Sequence, residues 1–198
     1  LYFAIAGIPV SVRGLEHLPD GPCVVVANHA SYLDGVVMQA ALPPRFAFVI
    51  KKEMVRVPLA SLLLRRLGSE FVDRFNRHAG ASDTRRVLRR AVSGQALGFF
   101  PEGTFTPRAG LAKFHAGAFV TAVRAGLPVV PVVLRGTRAI LPAERFLPVP
   151  GRIEVELLPP LPVPAPTEAD RAERLRAAAR SAILAKLGEP DLEASSAG

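Results

Sequence analysis

This sequence predicts an α/β domain, and three observations carry that prediction. Short apolar runs recur along the chain, bounded by Gly, Pro or polar residues. Helix-compatible segments lie between those runs. The length of 198 residues suits one domain with a sizeable core. Alternation of this kind argues for a largely buried sheet with helices packed on it.

The strand candidates are Val10 to Arg13, Val24 to Ala27, Phe46 to Ile50, Glu70 to Val72, Ala96 to Phe100, Val129 to Leu134 and Ile153 to Leu158. The second of these, within Cys23 to Ala27 (CVVVA), is too short for a core helix and reads as a buried strand. Helix candidates fall at Tyr32 to Leu42, Leu59 to Leu67, Ala79 to Ser93 and Gly117 to Ala125. Pro131 interrupts the Val129 to Leu134 run. Leu158 to Pro166 (LPPLPVPAP) is proline-rich and predicts an extended connector. Thr167 then caps a last helix to Leu187, with acids in its first turns and Gly188 and Pro190 as its stop. Leu175, Ala179, Ile183 and Leu187 give that helix an apolar stripe to pack on the domain. The expected domain is therefore 1–188, followed by a flexible tail at 189–198.

The chain opens at Leu1 without a Met. Leu1 to Val10 (LYFAIAGIPV) reads either as the stump of an upstream membrane segment (1–9) or as the first core segment. It lacks the basic n-region and cleavage site of a signal peptide. Hydrophobic residues make up 49% and mean hydropathy is +0.28, yet no run reaches the ~20 apolar residues of a spanning helix. Net charge is +8, carried mostly by Arg, which suits anionic lipid, phosphate-bearing substrates or nucleic acid. Aromatic content of 7% without Trp offers little to stack bases on, and no recognition motif is present, so nucleic acid is not an expected partner. A single cysteine, Cys23, excludes an internal disulfide and a cysteine-rich zinc site. Four scattered His residues lack ligand spacing, so no metal is expected. Arg85, Arg86, Arg89 and Arg90 cluster on one helix candidate, as a solvated face or as a contact for anionic head groups.

Asn28 to Gly35 (NHASYLDG) is the stretch richest in chemistry. His29 follows a strand and precedes a helix, and ligands bind at strand ends in α/β sheets. Asp34, five residues on, can reach back to the imidazole from the first helical turn. A carboxylate on one ring nitrogen fixes the tautomer and leaves the other free to take a proton from a hydroxyl. The same residues also read as a capping box, with Ser31 at N-cap and Asp34 at N3, and the two roles can coexist. In Phe99 to Thr106 (FFPEGTFT), Glu102 and Thr104 offer an acceptor and a hydroxyl at a strand end, or form an ordinary polar turn. Gly68 to Arg74 (GSEFVDR) ends in Asp73-Arg74, a phosphate grip or a plain surface pair. Val129 to Gly136 (VVPVVLRG) reads by itself as a core strand.

Together and in this order, the four stretches resemble the glycerolipid acyltransferase family, the lysophosphatidic acid acyltransferase type in particular. Its Asn-His-x-x-x-x-Asp pattern matches Asn28, His29 and Asp34; its Asp-Arg block matches Gly68 to Arg74; its Phe-Pro-Glu-Gly-Thr block matches Phe100 to Thr104; its Val-Pro-Val block matches Val130 to Val132. The resemblance implies a single domain with a central mixed, mostly parallel sheet of about seven strands flanked by helices. It implies transfer of a fatty acyl group from acyl-CoA or acyl-carrier protein to a lysophospholipid hydroxyl, with no cofactor. His29 is then the general base and Asp34 its orienting partner. The substrate-binding set it implies is Asn28, Ser31, Arg74, Glu102, Gly103, Thr104 and His115, with Pro131 toward the acyl chain. The expected setting is an anionic membrane surface, at the cytoplasmic face, with attachment peripheral or through a segment not present here. A catalytically silent lipid-binding module is the alternative, and a hydrolase with Ser31 as nucleophile lacks the Gly-x-Ser-x-Gly elbow. Two positions depart from the family pattern. Phe105 stands where Arg is usual after Glu-Gly-Thr, and His115 where Lys is usual in Phe-Lys-x-Gly.

Overall fold

The computed structural model describes residues 7–51, 70–72, 86–142, 145 and 147–194. Strands β1 (Val10–Arg13), β2 (Val24–Ala27), β3 (Phe46–Lys51), β4 (Glu70–Val72), β5 (Ala96–Phe99), β6 (Val129–Arg135) and β7 (Ile153–Leu157) form one sheet. Helices α1 (Asp34–Ala41), α2 (Gly117–Ala125), the single turn α3 (Thr137–Ile140) and α4 (Arg171–Leu187) cover it, with a helical segment at 86–92. The spatial order is β1-β7-β6-β2-β5-β3-β4. Every pairing is parallel except β6 with β7, which is antiparallel. The sheet is thus seven-stranded, mixed and mostly parallel.

The central strand explains why CVVVA is apolar without interruption. A parallel strand covered on both faces has no solvent side and needs no polar alternation. Val24 and Val26 face a core built with α2, α4 and the 86–92 segment. Val25 and Ala27 face a second core with Val37, Met38 and Leu42 of the α1 region and with Ile8. The four residues of the α4 stripe, Leu175, Ala179, Ile183 and Leu187, are all buried against the first core. Each large side chain among them contributes about 1.5–3 kcal/mol by leaving water. On β5, Gly98 leaves bare backbone beneath the Phe48 ring: a Cβ there would stand 2.4 Å from it.

Several sequence expectations shift. Helix α1 starts at Asp34 rather than Tyr32, because Ser31 and its neighbours form a turn of their own. Helix α4 starts at Arg171, not after a Thr167 cap. Ala165 and Glu168 bond each other reciprocally, backbone to backbone and backbone to carboxylate, and that closed turn precedes the helix. Pro131 does not interrupt β6. Its missing N–H falls between the Val129–Leu161 bridge and the start of the β7 ladder at Val132, and its carbonyl accepts the Leu158 N–H. Residues 189–194 are not a free tail but are bonded to the domain. The helix expected at Leu59 to Leu67, and Ala79 to Arg85 of the next, lie outside the described residues, as do 1–6 and 195–198.

Candidate active site

Strands β2 and β5 are parallel neighbours, so their C-terminal ends open on the same edge of the sheet. Asn28-His29 leaves one end and Phe100-Pro101-Glu102 the other. The chain also diverges here, to α1 and β3 on one side and β6 on the other, which is where open α/β sheets leave a crevice.

Asn28 is 3% exposed and does not face the crevice as a free amide. Its Nδ2 donates to the Leu134 carbonyl at 2.9 Å, and the Leu134 N–H donates to its Oδ1 at 2.8 Å. The side chain therefore adds one rung to the β2–β6 ladder beyond Ala27 and Val132. Both ends of the amide are thereby engaged in anchoring the strand end.

The His29 Nδ1–H donates to Asp34 Oδ2 at 2.8 Å. That same oxygen accepts the backbone N–H groups of Ala30 at 2.6 Å and Ser31 at 2.8 Å. Asp34 is fully buried, and three donors on one oxygen leave it no freedom to swing. Because the carboxylate accepts, the proton sits on Nδ1 and Nε2 carries the lone pair. The Ser31 N–H to Asp34 bond has the spacing of the expected capping box, but the helix begins at Asp34 with Leu33 as its N-cap, so the bond closes the preceding turn and does not cap the helix. Ser31 is fully buried; its Oγ accepts from Leu33 N–H at 3.2 Å and donates to the Leu141 carbonyl at 2.7 Å. Its hydroxyl is thus engaged with backbone on both sides in the described structure.

Glu102 was expected beside a head group, yet both its oxygens are occupied by backbone. Oε1 accepts the His29 N–H at 2.6 Å and Oε2 the Ala112 N–H at 2.9 Å. Burial pushes its carboxyl above the ordinary carboxylate value, and the two N–H donors oppose that shift. Gly103, at φ 74°, closes a turn through its N–H to the Phe100 carbonyl at 3.0 Å. This left-handed position suits glycine. Thr104 and His115 are exposed, and the His115 N–H bonds the Pro101 carbonyl at 2.8 Å. Pro131 is buried within the sheet, on the face of α2 and α4 rather than in the crevice. Arg74 lies outside the described residues; β4, the strand it follows, ends on the same edge of the sheet.

Aromatic packing around the His29 ring is what sequence reasoning missed. Phe100 stacks on the His29 ring at 4.5 Å between centroids, and Phe105 meets that ring edge-on at 4.7 Å. Tyr32, half exposed, packs edge-on against Phe105 at 4.7 Å, and Phe48 backs Phe100 at 6.2 Å. Only 19% of the His29 side chain remains exposed. The Phe-Phe-Pro-Glu-Gly-Thr-Phe run held the signal, since a strand end placed beside His29 brings its flanking rings with it. Cys23 is buried and its thiol is pushed up to about 11 by burial, which leaves it no nucleophilic role.

Known proteins resemble this chain in sequence and fold. The family model described as Acyltransferase matches residues 9–135. A mouse 1-acyl-sn-glycerol-3-phosphate acyltransferase alpha is 35% identical over 158 residues, covering 78% of this chain and 55% of its own. The chloroplastic 1-acyl-sn-glycerol-3-phosphate acyltransferase BAT2 of Brassica napus is 34% identical over 133 residues, 66% of this chain and 38% of its own. The chain thus spans between about two fifths and just over half of the length of these relatives. The crystal structure of the 1-acyl-sn-glycerophosphate acyltransferase PlsC from Thermotoga maritima superposes with a TM-score of 0.74 at 26% identity, over 91% of this chain and 73% of that one. The matched region runs from β1 through the end of β6 and so contains the His29–Asp34 pair and Glu102. The chain belongs to the acyltransferase family.

Proposed function

We propose that this chain transfers a fatty acyl group from a thioester, acyl-CoA or an acyl-carrier protein, to the free hydroxyl of a lysophospholipid of the lysophosphatidic acid type, in phospholipid biosynthesis or remodelling. One observation carries the reading: an imidazole at a strand end, fixed on Nδ1 by a buried carboxylate that two backbone N–H groups immobilise. The names of the relatives supply the substrate class. Nε2 takes the proton of the acceptor hydroxyl as its oxygen attacks the thioester carbonyl. The C–S bond then breaks, and the imidazolium returns the proton to the departing thiolate. Asp34 stabilises the transient positive charge, and the acceptor itself is the nucleophile, so no acyl-enzyme forms. The Phe100 and Phe105 rings limit access of bulk water to the base, which favours transfer over hydrolysis.

The site is proposed to work at an anionic membrane surface, on the cytoplasmic side. The net charge of +8 supports this, as do the exposed Arg89 and Val92 at the end of the 86–92 helix. Among the described residues no helix is long and apolar enough to cross a membrane. The deciding experiment offers one acyl thioester with a panel of lysophospholipids and identifies the products by mass spectrometry. Acylated lysolipid with stoichiometric free thiol is expected. Lipid binding without any thiol release would assign a silent lipid-binding module instead.

A further inference from the structure

The chain after α4 was expected to be loose, yet it carries a dense set of contacts with the loop before α2 and with Arg138 and Arg180. The Leu111 N–H donates to the Pro190 carbonyl at 2.9 Å, and the Leu192 N–H donates back to the Leu111 carbonyl at 3.1 Å. Glu189 accepts the Gly110 N–H at 2.7 Å and pairs with Arg138 at 3.1 Å; Arg138 also bonds the Thr106 carbonyl at 2.7 Å. Gly110 is at φ 134°, and a Cβ there would stand 2.5 Å from the Leu192 side chain. The two segments are therefore in direct contact.

Arg180 of α4 joins this contact to the site. Its guanidinium grips both Asp191 oxygens, at 2.6 and 3.0 Å, and donates to the Leu111 carbonyl at 3.0 Å and the Ala112 carbonyl at 3.2 Å. A planar fork can hold a carboxylate and two carbonyls at once, which an ammonium cannot. From there the Ala112 N–H donates to Glu102, which also accepts the His29 N–H. An unbroken path of hydrogen bonds thus runs from Asp191 through Arg180, Ala112 and Glu102 to the backbone of the base. Arg180 holds the Asp191 carboxyl well below its ordinary range, which keeps the pair ionised near neutral pH.

We propose that residues 189–193 are a clasp that holds the loop at 103–113 against the sheet edge and through it sets the position of His29, which makes Arg180 and Asp191 positioning residues for acyl transfer. The catalytic part of this inference rests on the function proposed above. A shift of about 1 Å in a base can cost on the order of a hundredfold in rate. Loosening the clasp should therefore lower kcat more than it raises KM for the thioester.

The test compares Arg180→Gln, Asp191→Asn and the double variant in the full chain, with Arg174→Gln on the same helix as control. Among the described residues the Arg174 side chain pairs with the turn carboxylate Glu168. Expected are a fall in kcat of about ten- to a hundredfold in each single variant and no further fall in the double, since both break one path. Amide exchange at Ala112 and at His29 should quicken in the same variants and not in the control. Wild-type kcat with only a lowered melting temperature would overturn the proposal, as would faster exchange at Ala112 with His29 unchanged. Should wild type release no thiol with any acceptor, the acyl-transfer reading falls, while exchange at His29 still decides the clasp: quickened supports it, unchanged removes it.

Discussion

Replacing Asp34 by Asn removes one charge beside the imidazole and almost nothing else. Asp34 Oδ2 takes three N–H groups, from His29, Ala30 and Ser31. An Asn turned with its oxygen at that point keeps all three. Its NH2 then falls where Oδ1 lies, a buried atom without a partner among the described residues. A buried unpaired donor costs about 1–3 kcal/mol, so the variant melts lower but folds. The catalytic loss is larger. An imidazolium forming on a ring whose Nδ1 is 2.8 Å from Oδ2 has its charge centre roughly 4 Å from that of the carboxylate. At an effective dielectric of about 20 this attraction is about 4 kcal/mol. At 1.36 kcal/mol per tenfold, kcat should fall by about 10³-fold. The assay is thiol release from the acyl thioester with lysolipid present, beside a thermal melt of the same preparation. A folded Asp34→Asn variant slower by less than about tenfold would refute the reasoning and leave Asp34 only a structural role in its turn.

Three further outcomes follow from the same geometry. Ser31→Ala should lose about 1–3 kcal/mol of stability, because the Leu141 carbonyl and Leu33 N–H lose their partner, yet keep its turnover; a dead but folded variant would revive the serine-nucleophile reading. Glu102 has a folded-state value above its ordinary 4.5, so the stability it contributes is full below that value and is lost as pH rises through the folded one. Acidifying toward 4.5 should therefore stabilise wild type relative to Glu102→Gln while slowing its turnover, as the protonated carboxyl gives up one acceptor; urea melts and rates at matched pH check both signs. Phe105→Arg with His115→Lys restores the cations usual in the family and should shift preference toward a phosphate monoester acceptor, which carries close to two charges; an unchanged ratio of monoester to diester acylation would show that Phe105 does not set the acceptor.

The fold was legible because its strands are short apolar runs between punctuating residues. β1, β2, β4 and α2 fall at the expected bounds, and β3, β5, β6 and β7 end within one residue of them. The His29–Asp34 pair was legible too, since five residues across one helix start leave little room for another geometry. Partners remote in sequence were not. Asn28 looks like a site residue until Leu134, 106 positions away, takes both ends of its amide. Glu102 looks like a free carboxylate until the sheet order brings β5 beside β2 and gives it the His29 amide. The tail failed for a similar reason. Composition describes how a segment solvates, not whether an arginine on the helix before it will fold back to hold it.

The Phe48 ring rests on the bare backbone of Gly98, backs Phe100, and Phe100 stacks on His29. Four residues from three segments thus form a single column, and its height is set at the bottom by one absent methyl group. Any side chain at position 98 must displace the Phe48 ring, which itself packs on the Phe100 ring beside the imidazole. Positions 48 and 98 are therefore sterically coupled: Ala at 98 requires the Phe48 ring to shift or a smaller residue to replace it. The tilt of the His29 ring is then set in part at a glycine two residues removed from the ring that stacks on it.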